Sequence, residues 1–388
     1  MNIKHRVEPV YKILYRFCIS LFQWLPVNNN KIVFAQGSRG GSFACNPKYV
    51  AEEIVRRCLP YDLVWLYEFN HTDVPLPIRK AKYNRIRALY ELATAHVFIN
   101  SSKAVYPVKK KAGQAFIYFP HGQPGCKCAE GDGNLSEEYC CRSKLHSALT
   151  DVFVSMGKYH TQVLKDTFWI PDTAQIWECG FPRNDQYYKD NAHRVAAIRE
   201  KLGIPKGMRI AFYAPTFRDN GTTTAYNLNF HRVLHALKER TGEEWMFFVT
   251  LHPNFNCFKK PVYDFDDRIW NMTSYTDIHE LLLLADIAIS DYSSVALDFA
   301  NTRRPVFLYA SDIDEYTRMR GLKPMYYQLP FPLCKTNDEM EQAIMTFDKD
   351  EYAHRLEEFA KIYGSVDDGH AAERFVDHLE QIMNNKQR

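Results

Sequence analysis

The stretch from Asp286 to Tyr309 leaves this chain few ways to fold. Asp286-Ile287-Ala288-Ile289 is a short apolar run of the kind that forms a buried strand. Val295 to Asn301 then reads as the first turns of a helix, which Arg303-Arg304-Pro305 stops, and Val306-Phe307-Leu308-Tyr309 gives a second buried strand. The whole is a βαβ unit, with Ser293 and Ser294 where the first strand hands over to the helix. The first N–H groups of a helix have no partner within it, and the macrodipole places partial positive charge there. Two hydroxyls beside them suit a phosphate or pyrophosphate. The other reading is that Ser294 simply caps the helix.

The same alternation runs through the rest of the chain. Ile32–Ala35, Leu63–Tyr67, Val97–Asn100, Ala115–Phe119 and Asp151–Ser155 read as strands in the first half. Arg209–Tyr213 and Trp245–Leu251 join the two above in the second. Helices are predicted from Asn46, as cap, to about Cys58, over Phe230–Arg240 and Ile278–Ala285, and through most of Asn337–Gln387. A length of 388 residues suggests two such α/β domains. Pro205 and the glycines of the 203–207 stretch mark the boundary, placed between about 190 and 207.

Ligand sites in open α/β sheets gather at the carboxyl ends of the strands. In the second half three strand ends carry polar loops: Thr216-Phe217-Arg218-Asp219, His252-Pro253, and Asp291 to Ser294. They are expected to converge on one rim. In the first half, His121 follows a strand in Pro120-His121-Gly122-Gln123-Pro124-Gly125, a candidate general base with glycine beside it for close approach. The glycine-containing loop Gly37–Ser42 lacks the Gly-Lys-Ser/Thr ending of a P-loop. Cys126, Cys128, Cys140 and Cys141 could hold zinc, but the spacing lacks paired C-x-x-C and reduced thiols are the expectation.

The 49 basic and 46 acidic residues give no long-range field for nucleic acid. No apolar run approaches the roughly 20 residues that span a bilayer. Pro9 to Leu25, however, is an apolar helix with one polar stripe of Lys12, Arg16, Ser20 and Gln23. It either lies in a membrane interface or packs on its own domain; the expectation is the membrane, at its cytoplasmic face.

Taken in order, these motifs resemble the CDP-glycerol glycerophosphotransferase family, the teichoic-acid and capsule polymerases and primases of bacteria. The residues that carry the likeness are His121-Gly122-x-Pro124, Gly180-x-Pro182-Arg183-Asn184-Asp185, Tyr213-Ala214-Pro215-Thr216-Phe217-Arg218-Asp219, His252-Pro253, Asp291-Tyr292-Ser293-Ser294 with Asp298-Phe299, Arg304-Pro305-Val306 and Arg320-Gly321. Three departures stand out: Gln123 for threonine, Gly125-Cys126-Lys127-Cys128 for a Leu-Lys run, and the missing aromatic after Arg320-Gly321-Leu322.

The resemblance implies an α/β GT-B architecture, two Rossmann-like domains facing across a cleft, with no metal and no cofactor. Residues 1–28 would be the membrane-associating helix, 29–195 the acceptor domain, 196–345 the CDP-donor domain, and 346–388 helices crossing back to the first domain. It implies a CDP-alcohol donor, a lipid-linked or glycan acceptor, and release of CMP. His121 carries over as base and His252 as a donor-phosphate contact. Thr216, Arg218, Asp291, Ser293, Ser294, Arg320, Arg183 and Asn184 carry over as substrate-binding residues. A CMP-sugar transferase of the polysialyltransferase type is the alternative, and its acidic motif has a match only in Asp367-Asp368-Gly369. A non-catalytic membrane-docked scaffold is a third.

Overall fold

Strands rich in Ile, Val and Phe, each followed by helical sequence, build two separate parallel sheets. The structure is a computed structural model that describes residues 17–36, 41–68, 73–83, 85–103, 109–120, 122, 127–128, 130–133, 135–218, 221–252, 255 and 262–384. The first sheet contains β1 (Asn28–Ala35), β2 (Asp62–Tyr67), β3 (Arg79–Lys82), β4 (Ala95–Asn100), β5 (Ala115–Tyr118), β6 (Val152–Ser155) and β7 (Gln175–Glu178). Its order is β3-β2-β1-β4-β5-β6-β7, parallel throughout. The second contains β8 (Arg209–Ala214), β9 (Trp245–Val249), β10 (Ile269–Asn271), β11 (Ile287–Ser290), β12 (Val306–Tyr309) and β13 (Leu333–Cys334). Its order is β10-β9-β8-β11-β12-β13, also all parallel.

An all-parallel sheet must be covered on both faces, and β1 shows how the sequence meets that demand. Ile32 and Phe34 point to one face and pack with Trp65, Val97 and Ile99; Val33 and Ala35 point to the other and pack with Val64, Leu66 and Phe98. In both sheets the strand order reverses beside the first strand, between β1 and β4 and between β8 and β11. Crossovers leave such a point in opposite directions, and the crevice between them is where doubly wound sheets bind ligands.

The C-terminal helices divide their loyalty. Helix Lys349–Tyr363 sends Tyr352, Leu356, Phe359 and Tyr363 into the second lobe's core. Helix Ala371–Asn384 sends Phe375, Val376, Leu379 and Met383 into the first. The chain therefore returns over residues 364–370. There Gly157, at φ 146°, lies so close to Gly364 that an added Cβ would sit 1.9 Å from the Gly364 carbonyl oxygen.

Several local features differ from the sequence reading. Asn46 does not cap its helix, which begins at Cys45 after Ala44; its Oδ1 instead accepts from the backbone N–H of Arg183 at 3.1 Å. Strands β3, β7, β10 and β13 appear where no strand was expected. Of the N-terminal segment, residues 17–22 are helical; Cys18, Ile19 and Phe22 pack on the first lobe while Phe17, Leu21 and Trp24 are exposed. Residues 1–16 lie outside the described residues. Among those described, no helix is long and apolar enough to cross a membrane.

Candidate active site

The two switch points face one another across a cavity of 180 Å³. The second lobe lines it with Ala214 and Pro215 after β8, Thr250 to His252 after β9, Thr276 to His279 before and within helix Ile278–Leu284, and Ser293, Ser294, Val295 and Asp298 after β11. The first lobe adds Gln36 after β1, Ala44 and Cys45, Gly122 after β5, and Arg183. The strand ends at Pro215, His252 and Ser293 thus do converge on one rim, because β9, β8 and β11 are adjacent.

Ser293 and Ser294 are half-buried at the cavity wall. Ser294 occupies the N-cap position of helix Val295–Ala300, yet its hydroxyl makes no capping bond. The helix has only six residues, so its dipole is modest and the hydroxyls matter more; its first N–H groups are already engaged, Val295 N with Ser293 Oγ at 3.4 Å and Ala296 N with Ser293 O at 3.3 Å. Across the cleft, Gly122 adopts φ 84°, and a Cβ placed there would lie 2.5 Å from Ser294 Oγ. Only glycine permits that approach. His121, the residue before it, lies outside the described residues, as do Pro253 and Asp219. His252 is exposed at the rim, its ring 6.2 Å from that of Phe217.

Behind the rim stands a closed charge network. Asp291, 2% exposed, accepts from Thr216 N at 2.9 and 3.0 Å, Thr216 Oγ1 at 2.7 Å and Arg218 Nη1 at 2.9 Å. Arg218 Nε and Nη2 donate to the two oxygens of Asp312, at 2.6 and 2.9 Å. Its guanidinium is also packed against the rings of Tyr226, Tyr292 and Tyr316. Burial works against the Arg218 charge, but Asp291 and Asp312 outweigh it and hold the group above its ordinary pKa. Asp312 is held below the usual carboxylate range, because Arg218 overcomes the opposing effect of burial.

Arg183, 3% exposed, behaves differently. Its Nη2 donates to both oxygens of Asp298, at 3.0 Å each, and its Nη1 to Cys45 Sγ at 3.3 Å. Asp298 belongs to the serine helix, so this pair spans the cleft. Lys48 Nζ makes a second crossing to Asp277 at 2.7 Å and Glu280 at 3.2 Å. Burial lowers the Lys48 pKa less than these two carboxylates raise it.

The remaining expected residues lie outside the cavity lining. Asn184 is buried and donates through Nδ2 to Asp367 at 2.7 Å. Arg320 ends helix Ile313–Met319 near the bridge between Lys127 and Leu322 that joins the lobes at another point. Cys128 donates its N–H to Gly321 within that bridge. Cys126 lies outside the described residues, and among those described no three metal-ligating side chains come together. Gln36, Cys45, Thr250, Asp277 and His279 were missed. Three of them had a visible signal: Gln36 immediately follows β1, Thr250 immediately precedes Leu251-His252, and Asp277 precedes an apolar helix as its cap.

The architecture is that of a GT-B transferase, two doubly wound lobes over a polar cleft. The chain belongs to the CDP-glycerol:poly(glycerophosphate) glycerophosphotransferase family, which matches residues 17–381. It is 28% identical over 402 residues to a teichoic acid poly(glycerol phosphate) polymerase of Bacillus spizizenii, covering 98% of each chain. A Bacillus subtilis polymerase of the same description is 27% identical over 377 residues, and there the match covers 90% of this chain and 49% of the other. The solved structure of the wall teichoic acid polymerase TagF shares the fold, with a TM-score of 0.83 at 23% identity over 98% of this chain and 97% of that one.

Proposed function

We propose that the chain moves glycerol phosphate from CDP-glycerol to a hydroxyl of a teichoic-acid-type acceptor. The acceptor oxygen attacks the donor's β-phosphorus, the bond from that phosphorus to the bridging oxygen breaks, and CMP leaves. The acceptor proton passes to His121, whose assignment rests on the family resemblance and on the neighbouring Gly122. Ser293 and Ser294 hold the diphosphate, with His252 beside it at the rim. Arg218, Asp291 and Thr216 act by holding the loops in place, since their polar atoms are engaged with one another. Such chemistry asks mainly for positioning and charge stabilisation.

The observation that carries this reading is the meeting of Gly122 with Ser294. It brings the strand end that bears His121 onto the serines of the opposite lobe. Support for a lipid-linked acceptor comes from Phe17, Leu21 and Trp24, an apolar exposed edge suited to a membrane interface.

The test is CMP release by the purified full chain with CDP-glycerol and a lipid-linked acceptor. Ser294→Ala and His252→Ala should each lower kcat/KM by about 10²-fold, as loss of a transition-state donor does. Wild-type protein that ignores CDP-glycerol but transfers sugar from a CMP-sugar would overturn the proposal.

A further inference from the structure

The cavity is small for its ligand. Its 180 Å³ is about six water volumes, well under the roughly 300 Å³ at which pockets begin to enclose a whole organic ligand. A cavity of that size would take one end of a CDP-alcohol. Its lining indicates which end.

Beside Ser293 and Ser294 the lining includes Gln36, Cys45, Thr250, Asp277 and Asp298. Two carboxylates would repel a phosphate. Each is already balanced by a cation of the opposite lobe, Lys48 at 2.7 Å from Asp277 and Arg183 at 3.0 Å from Asp298. A carboxylate accepts at about four lone-pair sites, and Asp277 fills three, from Lys48 Nζ, Tyr49 Oη and His279 N, which leaves one for a neutral hydroxyl donor. Thr250 adds the second observation. It is 3% exposed, and its Oγ1 has no hydrogen-bond partner among the described residues. Its backbone leaves little freedom to turn away: Thr250 N donates to Tyr213 O at 2.9 Å, and Leu251 N to Thr273 Oγ1 at 3.0 Å. A buried hydroxyl of this kind is destabilising until something pairs with it.

We infer that this part of the cavity is the polyol subsite, in which Thr250 Oγ1 bonds one of the two hydroxyls of the donor's glyceryl group while Gln36 and Asp277 receive the other. The inference rests on the CDP-alcohol reading above and says where that alcohol is recognised. It also makes Thr250 a residue that favours ligand at the expense of the free protein.

Calorimetric titration of the full chain with CDP and with CDP-glycerol tests it, in wild type, Thr250→Val, Thr250→Ala and Thr250→Ser. Loss of one hydrogen bond to a neutral group should weaken CDP-glycerol binding about tenfold in the valine and alanine variants. CDP, which lacks the polyol, should bind all four proteins alike. Serine should keep wild-type affinity to within about twofold. The valine variant should melt no lower than wild type, because it removes a hydroxyl that the free protein leaves unpaired. Equal weakening of CDP and CDP-glycerol would place Thr250 against the nucleotide and overturn the inference, as would no weakening of either. A wild-type protein that binds CDP but not CDP-glycerol would instead sink the donor assignment itself.

Discussion

Arg183 and Arg218 are alike in burial and in being held by carboxylates, but they organise different things. Both partners of Arg218, Asp291 and Asp312, belong to its own lobe, and three tyrosine rings surround it. Arg183 sits in the first lobe and its partner Asp298 in the second. No member of the Arg218 cluster comes from the first lobe, so the loop carrying Ser293 and Ser294 is held from within its own lobe. The Arg183 pair exists only while the lobes touch. A buried ion pair gains little net free energy, because the desolvation of both charges offsets their attraction. The pair therefore aligns the two lobes more than it stabilises their contact.

Breaking the Arg218 cluster should have the largest effect. Arg218→Leu leaves two carboxylates buried and unpaired, and removal of one partner from such a site costs about 3–5 kcal/mol. Chemical unfolding should register that loss, and CMP release should disappear with it. Asp298→Asn is the paired experiment. Arg183 then loses its counter-charge, but the lobes can part and admit water, so the expected cost is smaller, about 1–3 kcal/mol. Its activity should suffer more than its stability, and small-angle scattering should show a larger radius. Equal destabilisation by the two substitutions would remove the distinction between a cluster within a lobe and a contact between lobes.

Much of this arrangement could be read from the chain because it is local. A strand followed at once by polar residues and then by a helix has one place in a parallel sheet, and Pro215, His252 and Ser293 fell on the same rim for that reason. The short edges were invisible. β3 is Arg-Lys-Ala-Lys, with no apolar period to detect, and is held at the sheet edge partly by Arg79 pairing with Asp62 and Glu91. β10 has three residues. What the arginines do was also out of reach. Arg218 sits in a loop motif and reads as a ligand for substrate, but Asp291 and Asp312 engage its guanidinium from 73 and 94 residues away. Asp298 lies 115 residues from Arg183, in the other domain. The Arg218 pairings depend on the packing of one lobe and the Arg183 pairing on how two lobes dock, and no local pattern encodes either. The same limit explains Asn46, whose capping chemistry was real but was directed to the backbone of Arg183.

The smallest predicted effect concerns the turn that carries Arg183. Asp367 lies on the segment that returns the chain to the first lobe, and it accepts from Phe181 N and Asn184 Nδ2, both at 2.7 Å. Burial pushes its carboxyl up to about 7, against the pull of those two hydrogen bonds, and the charge of Asp298 adds to the rise. An acid whose pKa is raised on folding stabilises the protein fully below its unfolded value. That contribution fades as pH climbs and is gone above the folded value. Between pH 6 and pH 8 the wild type should lose about 1 kcal/mol from this group, and Asp367→Asn should flatten the slope over that window. Because Asp367 holds Phe181 and Asn184, which flank the 182–188 turn and Arg183 within it, the loosening should be confined to the Arg183 side of the cleft. Hydrogen exchange, corrected for its intrinsic pH dependence, should then show the amide of Phe181 losing protection from pH 6 to pH 8 while that of Arg218, bonded to Tyr226 Oη at 2.8 Å, keeps its own. If both amides lose protection together, the two arginine sites are not independent, and the charge on Asp367 reaches the donor loops as well.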